Sequence, residues 1–206
     1  KTQFFYIVYN AGRKKNDEEI FFEYLSNYIV LGNNSLLAIQ GPNSEKILKF
    51  IENSKNLSFM NSLTMNYLNY EIILSRTGYT GEDGFEISIP NDIVDKFINT
   101  ILRDSNIKLC GLGSRDSLRI EAGLSLYGNE LNEQITPIEA NLSWSVHKNR
   151  LNDGKLNGSQ KLINQINFGV ENIKLGFKSK SKSILRSKMK IYDKDINEIG
   201  IISSGG

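Results

Sequence analysis

The sequence predicts an α+β sandwich rather than a doubly wound parallel sheet, on three observations. First, "SRTGYTGEDGFEIS", Ser75 to Ser88, joins two strand-like segments through a glycine-rich turn. Second, "NDIVDKFINTILRD" places Ile93, Val94, Phe97, Ile98, Ile101 and Leu102 on one broad helical stripe. Third, from about Arg150 the chain reads as one short helix and then strands only, the texture of an incipient all-β domain.

In order along the chain, "TQFFYIVYN" reads as a strand that starts almost at Lys1, so Lys1 is not expected to be a natural beginning. "NDEEIFFEYLSNY" follows as a helix, with Ile20, Phe21, Tyr24 and Leu25 at helical spacing and acids in its first turn. "SLLAIQG" reads as a buried strand, and Pro42 opens a helix through "NSEKILKFIEN". "YLNYEIILSR" is the next strand, and "FEISIP" returns with Phe85, Ile87 and Ile89 on one face and Glu86 and Ser88 on the other. Asn91 is expected to cap the helix behind it. "IKLCGL" reads as a short apolar strand in which Cys110 is buried and inert. "SRDSLRIEAG" reads as a helix capped by Ser114 and stopped by Gly123. "GSQKLINQI" is a short helix, and "NIKLGFKS", "KMKIYDK" and "EIGIISSG" are strands, the last two joined by "DKDINE".

Composition narrows the function classes. The 206 residues carry 25 Lys and Arg against 23 Asp and Glu, a net charge of +2. That balance argues against a nucleic-acid protein. One cysteine and one histidine, Cys110 and His147, leave no material for a disulfide framework, a cysteine zinc cage or a multi-histidine metal site. No apolar run has the length to span a membrane, and no signal or transit peptide is visible. The Asn, Lys and Ile bias matches AT-rich codons, so scattered asparagines carry little weight.

Four residues stand out as binding candidates. Glu86 follows a turn whose glycines allow close backbone approach and positive φ. Its two oxygens accept a parallel pair of N–H donors, such as the edge of a pterin ring; the alternative is a solvent-facing hairpin acid. Arg115, in the first turn of its helix, opposes the helix dipole and so asks for an anion, either a ligand or a protein acid such as Glu121. Tyr79, at the tip of the turn, lies along a flat heterocycle or merely covers the hairpin. Asn10, in "YNAG", is a ligand contact or a turn former.

"RTGYTGEDGFEI", "GLGSRDSLRIEAGLSLYGNEL" and "TPIEANLSW", in this order, resemble the aminomethyltransferase, or T-protein, of the glycine cleavage system. "YIVYNAG", "LLAIQGP" and "IGIISSG" match lesser motifs, so the resemblance covers nearly the whole chain. It implies three domains around a folate channel, with a ferredoxin-like folate-binding core followed by the start of a C-terminal β-barrel. It also implies transfer of the one-carbon unit from the aminomethyl-lipoyl arm of the H-protein to tetrahydrofolate, with release of ammonia. Glu86 then corresponds to the pterin-reading glutamate, Arg115 to a folate-contacting arginine, Tyr79 to a pocket tyrosine and Asn10 to a residue of a matching motif. The implied partners are lipoylated H-protein and tetrahydrofolate, with no metal, nucleic acid or membrane. The implied compartment is the mitochondrial matrix in a eukaryote and the cytoplasm otherwise.

The departures are local. Asn129-Glu130-Leu131-Asn132 stands where the family usually reads "NDID", and "SVHKNR" replaces a more basic run. The resemblance places the catalytic aspartate ahead of "FYIVYNAG", so the catalytic residue is unknown within residues 1–206. The chain reads as an internal fragment, cut at both ends, whose own turnover is expected to be crippled. The expected domains are 1–30, the end of an N-terminal or inserted α+β domain; 31–148, the folate-binding core; and 149–206, an incomplete β-barrel. Two alternatives remain open: a non-enzymatic folate-binding module of the same fold, and a folate-dependent demethylase subunit working with a flavin domain. The "GEDG" turn and the absence of a flavin motif count against the second.

Overall fold

Alternation in "GFEISIP" builds the centre of the fold. In the computed structural model, which describes residues 4–51 and 54–206, the chain divides into two units, 1–34 and 35–206. In the second unit, strands β1 (Asn34–Gln40), β2 (Ser62–Tyr67), β3 (Tyr70–Ser75) and β4 (Gly84–Pro90) form one sheet in the order β1-β4-β3-β2. β4 is therefore internal, and Phe85, Ile87 and Ile89 are fully buried on one of its faces. Helix α3 (Asn91–Ile101) covers them with Ile93, Phe97 and Ile101. Ile39, Leu48, Ile51, Leu57, Ile72 and Leu74 complete the core. The rings of Phe97 and Tyr67 meet edge to face at 5.4 Å.

The expected strand "YLNYEIILSR" is instead a hairpin. Leu68 and Asn69 take φ of 51° and 68°, a tight turn that pairs Tyr67 with Tyr70 and makes "SLTMNY" an unforeseen β2. Nothing but Asn69 signals this turn, because leucine rarely adopts positive φ. Two capping assignments also shift. Pro90, not Asn91, precedes α3, and the Asn91 side chain instead accepts a bond from the Ser35 hydroxyl at 2.7 Å.

Helix α4 (Leu112–Glu121) starts after Gly111, so Ser114 lies inside it and does not cap it. Its end is as expected. Gly123, at φ 71°, donates to the Ile120 carbonyl at 2.9 Å, and Leu124 donates to that of Arg119 at 2.8 Å, a Schellman termination. The helix foreseen after Pro42 is only α2 (Ser44–Ile47) with a 3-10 turn at Leu48–Phe50, and its foreseen tail at Glu52 and Asn53 lies outside the described residues. "IKLCGL" forms no strand, and Cys110 is exposed rather than buried.

Downstream come α5 (Lys148–Asn152), which the sequence did not announce, and α6 (Ser159–Phe168), which it did. Strands β5 (Lys190–Tyr192) and β6 (Glu198–Ile201) pair antiparallel. The Asp193 carboxylate closes their turn by accepting from the amides of Asp195 and Asn197. "NIKLGFKS" is not a strand. In the first unit, α1 (Lys14–Tyr24) forms as expected and has no buried residue. Residues 4–10 are not a strand, and the expected strand's Thr2 and Gln3 lie outside the described residues. Among the described residues no helix is long and apolar enough to cross a membrane.

Candidate functional site

The glycine turn between β3 and β4 is organised from its base. Arg76 grips Asp83 with two parallel bonds, Nε to Oδ1 at 2.9 Å and Nη2 to Oδ2 at 2.7 Å. The same guanidinium reaches the Glu45 carboxylate at 2.8 Å and the Leu57 carbonyl at 3.0 Å, and lies over the Phe85 ring. Hydrogen bonding to Arg76 holds the Asp83 carboxyl below its ordinary value of 3.8. A lowered folded pKa means that the pair stabilises the fold above about pH 4 and is lost as pH falls through the folded value. Asp83→Asn is therefore expected to lower stability by about 1–3 kcal/mol at pH 7, and the gap to the unsubstituted chain should close in urea titrations carried towards pH 2.

Inside the turn lies a side chain that the local sequence does not announce. Gln40, the last residue of β1, donates through Nε2 to the carbonyls of Thr77 at 3.1 Å and Phe85 at 3.3 Å. A β-carbon on Gly78 would lie 1.9 Å from Gln40 Oε1, and one on Gly84 would lie 2.2 Å from it. Gly81 has φ 77°, and a β-carbon there would meet that of Ala122 at 2.8 Å. The glycines were expected to admit a group close to the backbone. The groups admitted are Gln40 and the end of α4.

Glu86 stands opposite Ser75 in the β3–β4 register and is partly exposed. Its Oε2 accepts a 2.6 Å bond from the Thr77 hydroxyl, and among the described residues Oε1 has no partner. Tyr79, two residues beyond Thr77, donates its hydroxyl to the Ser125 carbonyl at 2.5 Å. Desolvation raises its pKa. The Arg115 guanidinium lies 4.8 Å from the centroid of the Tyr79 ring. Among the described residues Arg115 pairs with no carboxylate, Glu121 included, so the misplaced cation found a ring rather than an acid. The structure thus joins Tyr79 to Arg115 directly and Glu86 to the same turn through Thr77. Asn10 lies in the first unit, where its side chain accepts from the Gly12 amide at 2.8 Å, as a turn former does.

A second polar centre went unforeseen. Arg119 is buried and bonds Asp116 at 2.8 Å, Glu130 at 2.9 Å and the Ser204 hydroxyl at 2.7 Å. Glu130 is buried as well and accepts from the Leu126 amide. Arg119, Glu130 and Ser204 edge an open cleft of about 1120 Å³ that reaches Lys174, Phe177 and Ile199. A smaller cleft of about 510 Å³ is lined by His147, Arg150, Lys161 and Glu133 among others. Among the described residues no group of three His, Cys, Asp or Glu is placed to hold a metal ion.

Residues 1–150 match the GCVT N-terminal domain family. The chain is 39% identical to the mitochondrial aminomethyltransferase of Pisum sativum over 98% of its own length and 52% of the relative's. It is 38% identical to that of Saccharomyces cerevisiae, over 98% of this chain and 56% of the relative. The crystal structure of glycine cleavage system aminomethyltransferase T from Bartonella henselae superposes with a TM-score of 0.87 at 33% identity, over 96% of this chain and 55% of that one. The chain thus spans about half the length of the curated relatives it matches.

Proposed function

The chain belongs to the GCVT N-terminal domain family, and on that premise we propose that it serves an aminomethyltransferase of the glycine cleavage system. In this reading a one-carbon unit passes from aminomethylated, lipoyl-bearing H-protein to tetrahydrofolate. Methylenetetrahydrofolate, ammonia and dihydrolipoyl H-protein are the products. The observation that carries the reading is Glu86, fixed by Thr77 at Oε2 with Oε1 unpartnered among the described residues. A carboxylate so held presents two acceptors in one plane. The pterin of tetrahydrofolate offers a ring N–H and an exocyclic amine side by side, and two charged hydrogen bonds form at once.

Tyr79 and Arg115 supply the neighbouring contacts. With its hydroxyl committed to Ser125, Tyr79 meets the substrate through its ring. Arg115 leaves the ring for a ligand carboxylate or stays stacked as a planar cation. Residues 31–148 are proposed as the folate-binding core and 149–206 as the start of a β-barrel, of which the β5–β6 pair is a first hairpin. Eukaryotic relatives bear mitochondrial names, which supports the mitochondrial matrix as the working compartment in a eukaryote.

The test is direct titration with tetrahydrofolate under anaerobic conditions. Glu86→Ala is expected to weaken binding about 10- to 100-fold, the loss of one or two charge-assisted bonds. Unchanged affinity would remove Glu86 from the site and the reading with it.

A further inference from the structure

We infer that Thr77, held in place by Gln40, is a positioning residue that aims the Glu86 carboxylate; the inference rests on the folate reading of Glu86. Glutamate has three side-chain torsions, and a partly exposed one samples many of them unless something holds it. The Thr77 hydroxyl has one proton and gives it to Glu86 Oε2 at 2.6 Å. That bond is only as good as the placement of Thr77, which lies in the turn and outside any strand. Gln40 supplies the placement. One amide nitrogen donates both to the Thr77 carbonyl and to the carbonyl of Phe85, the residue before Glu86. The two ends of the Thr77–Glu86 bond are thus tied to the same NH₂ group across the turn. Its other atom, Oε1, lies 1.9 Å and 2.2 Å from where β-carbons on Gly78 and Gly84 would be, so the bare turn is shaped around this amide. The Thr80 hydroxyl lies 3.5 Å from the same oxygen. Positioning of this kind leaves Glu86 Oε1 open and removes the ordering cost from the moment of ligand binding.

The test is a double-mutant cycle in tetrahydrofolate affinity between Thr77→Val and Glu86→Gln, with Thr77→Ser as the conservative control. Thr77→Val is expected to weaken binding about five- to tenfold, Thr77→Ser to restore it, and the Thr77→Val effect to vanish in the Glu86→Gln background. Thermal melts identify variants that are merely unfolded, and Thr77→Ala replaces Thr77→Val if the latter melts below the assay temperature. Full affinity in Thr77→Val, alongside a loss in Glu86→Ala, overturns the positioning role and leaves the folate reading standing. A Thr77→Val loss of the same size with and without Glu86 also overturns it, because the hydroxyl then acts by another route. No binding by the unsubstituted chain, or no effect of Glu86→Ala, overturns the folate reading and this inference together.

Discussion

Arg119→Met is expected to destabilise the chain by about 3–5 kcal/mol at neutral pH, because it strands a buried carboxylate. Arg119 is 2% exposed and Glu130 is 6% exposed. Burial by itself raises the Glu130 pKa. Hydrogen bonds from Ser204, Leu126 and Ser203 and the charge of Arg119 outweigh that burial, and the carboxyl titrates below its ordinary value of 4.5. In the unsubstituted chain the lowered pKa adds stability above about pH 4.5 that is lost as pH falls through the folded value.

Removing Arg119 weakens this contribution. The Arg119 charge goes, and Ser204 loses one of its two donors, keeping the bond from Asn129 at 2.8 Å. The Glu130 pKa therefore rises relative to that in the unsubstituted chain, and the variant gains less stability as pH increases. Urea denaturation followed by circular dichroism should find a larger deficit at pH 7 than at pH 4.5. An equal deficit at both would mean that Glu130 is not the group left stranded. Arg119→Met combined with Glu130→Leu should recover most of the loss, since apolar residues of similar volume often replace a buried pair without penalty.

How much of this was legible depends on how local each signal was. The β4 alternation, the α3 stripe and the Gly123 stop are encoded within a few residues of where they act, and they form as read. Glu86, Arg115 and Tyr79 were also legible as chemically odd residues in a glycine-rich or helical setting. Their connections were not. Gln40 is 37 residues from Thr77 and 45 from Phe85, and nothing near it suggests that its amide fills a distant turn. Nothing beside Arg119 in the sequence points to its partner Ser204, which is 85 residues away.

Two misses had readable signals. Thr136-Pro-Ile-Glu139 spells a capping box, and the structure makes both reciprocal bonds, Thr136 amide to Glu139 Oε2 at 2.7 Å and Glu139 amide to Thr136 Oγ1 at 3.2 Å. Arg76, just before the glycine run, and Asp83, near its end, are at a spacing that suits a stapled turn. Cys110 was misread because Leu109 and Leu112 suggested a buried strand, yet these leucines are 81% and 84% exposed.

Gly84→Ala is expected to lower stability by about 1–3 kcal/mol and to combine less than additively with a second change at Gln40. The added methyl would lie 2.2 Å from Gln40 Oε1 and 2.4 Å from its Cδ. The amide must leave, and its bonds to Thr77 and Phe85 go with it. Gln40→Ala alone forfeits those bonds but opens the space. The double variant therefore pays the hydrogen-bond loss once, and the two changes should fall short of additivity by about 1–2 kcal/mol.

Gly81 provides the contrast. Its φ of 77° and the 2.8 Å approach to Ala122 owe nothing to Gln40, so Gly81→Ala should cost the same with or without Gln40→Ala. Chemical denaturation of the six proteins in this set decides the matter. Strict additivity of Gly84→Ala with Gln40→Ala would mean that the turn is glycine-rich for a reason other than the amide it encloses.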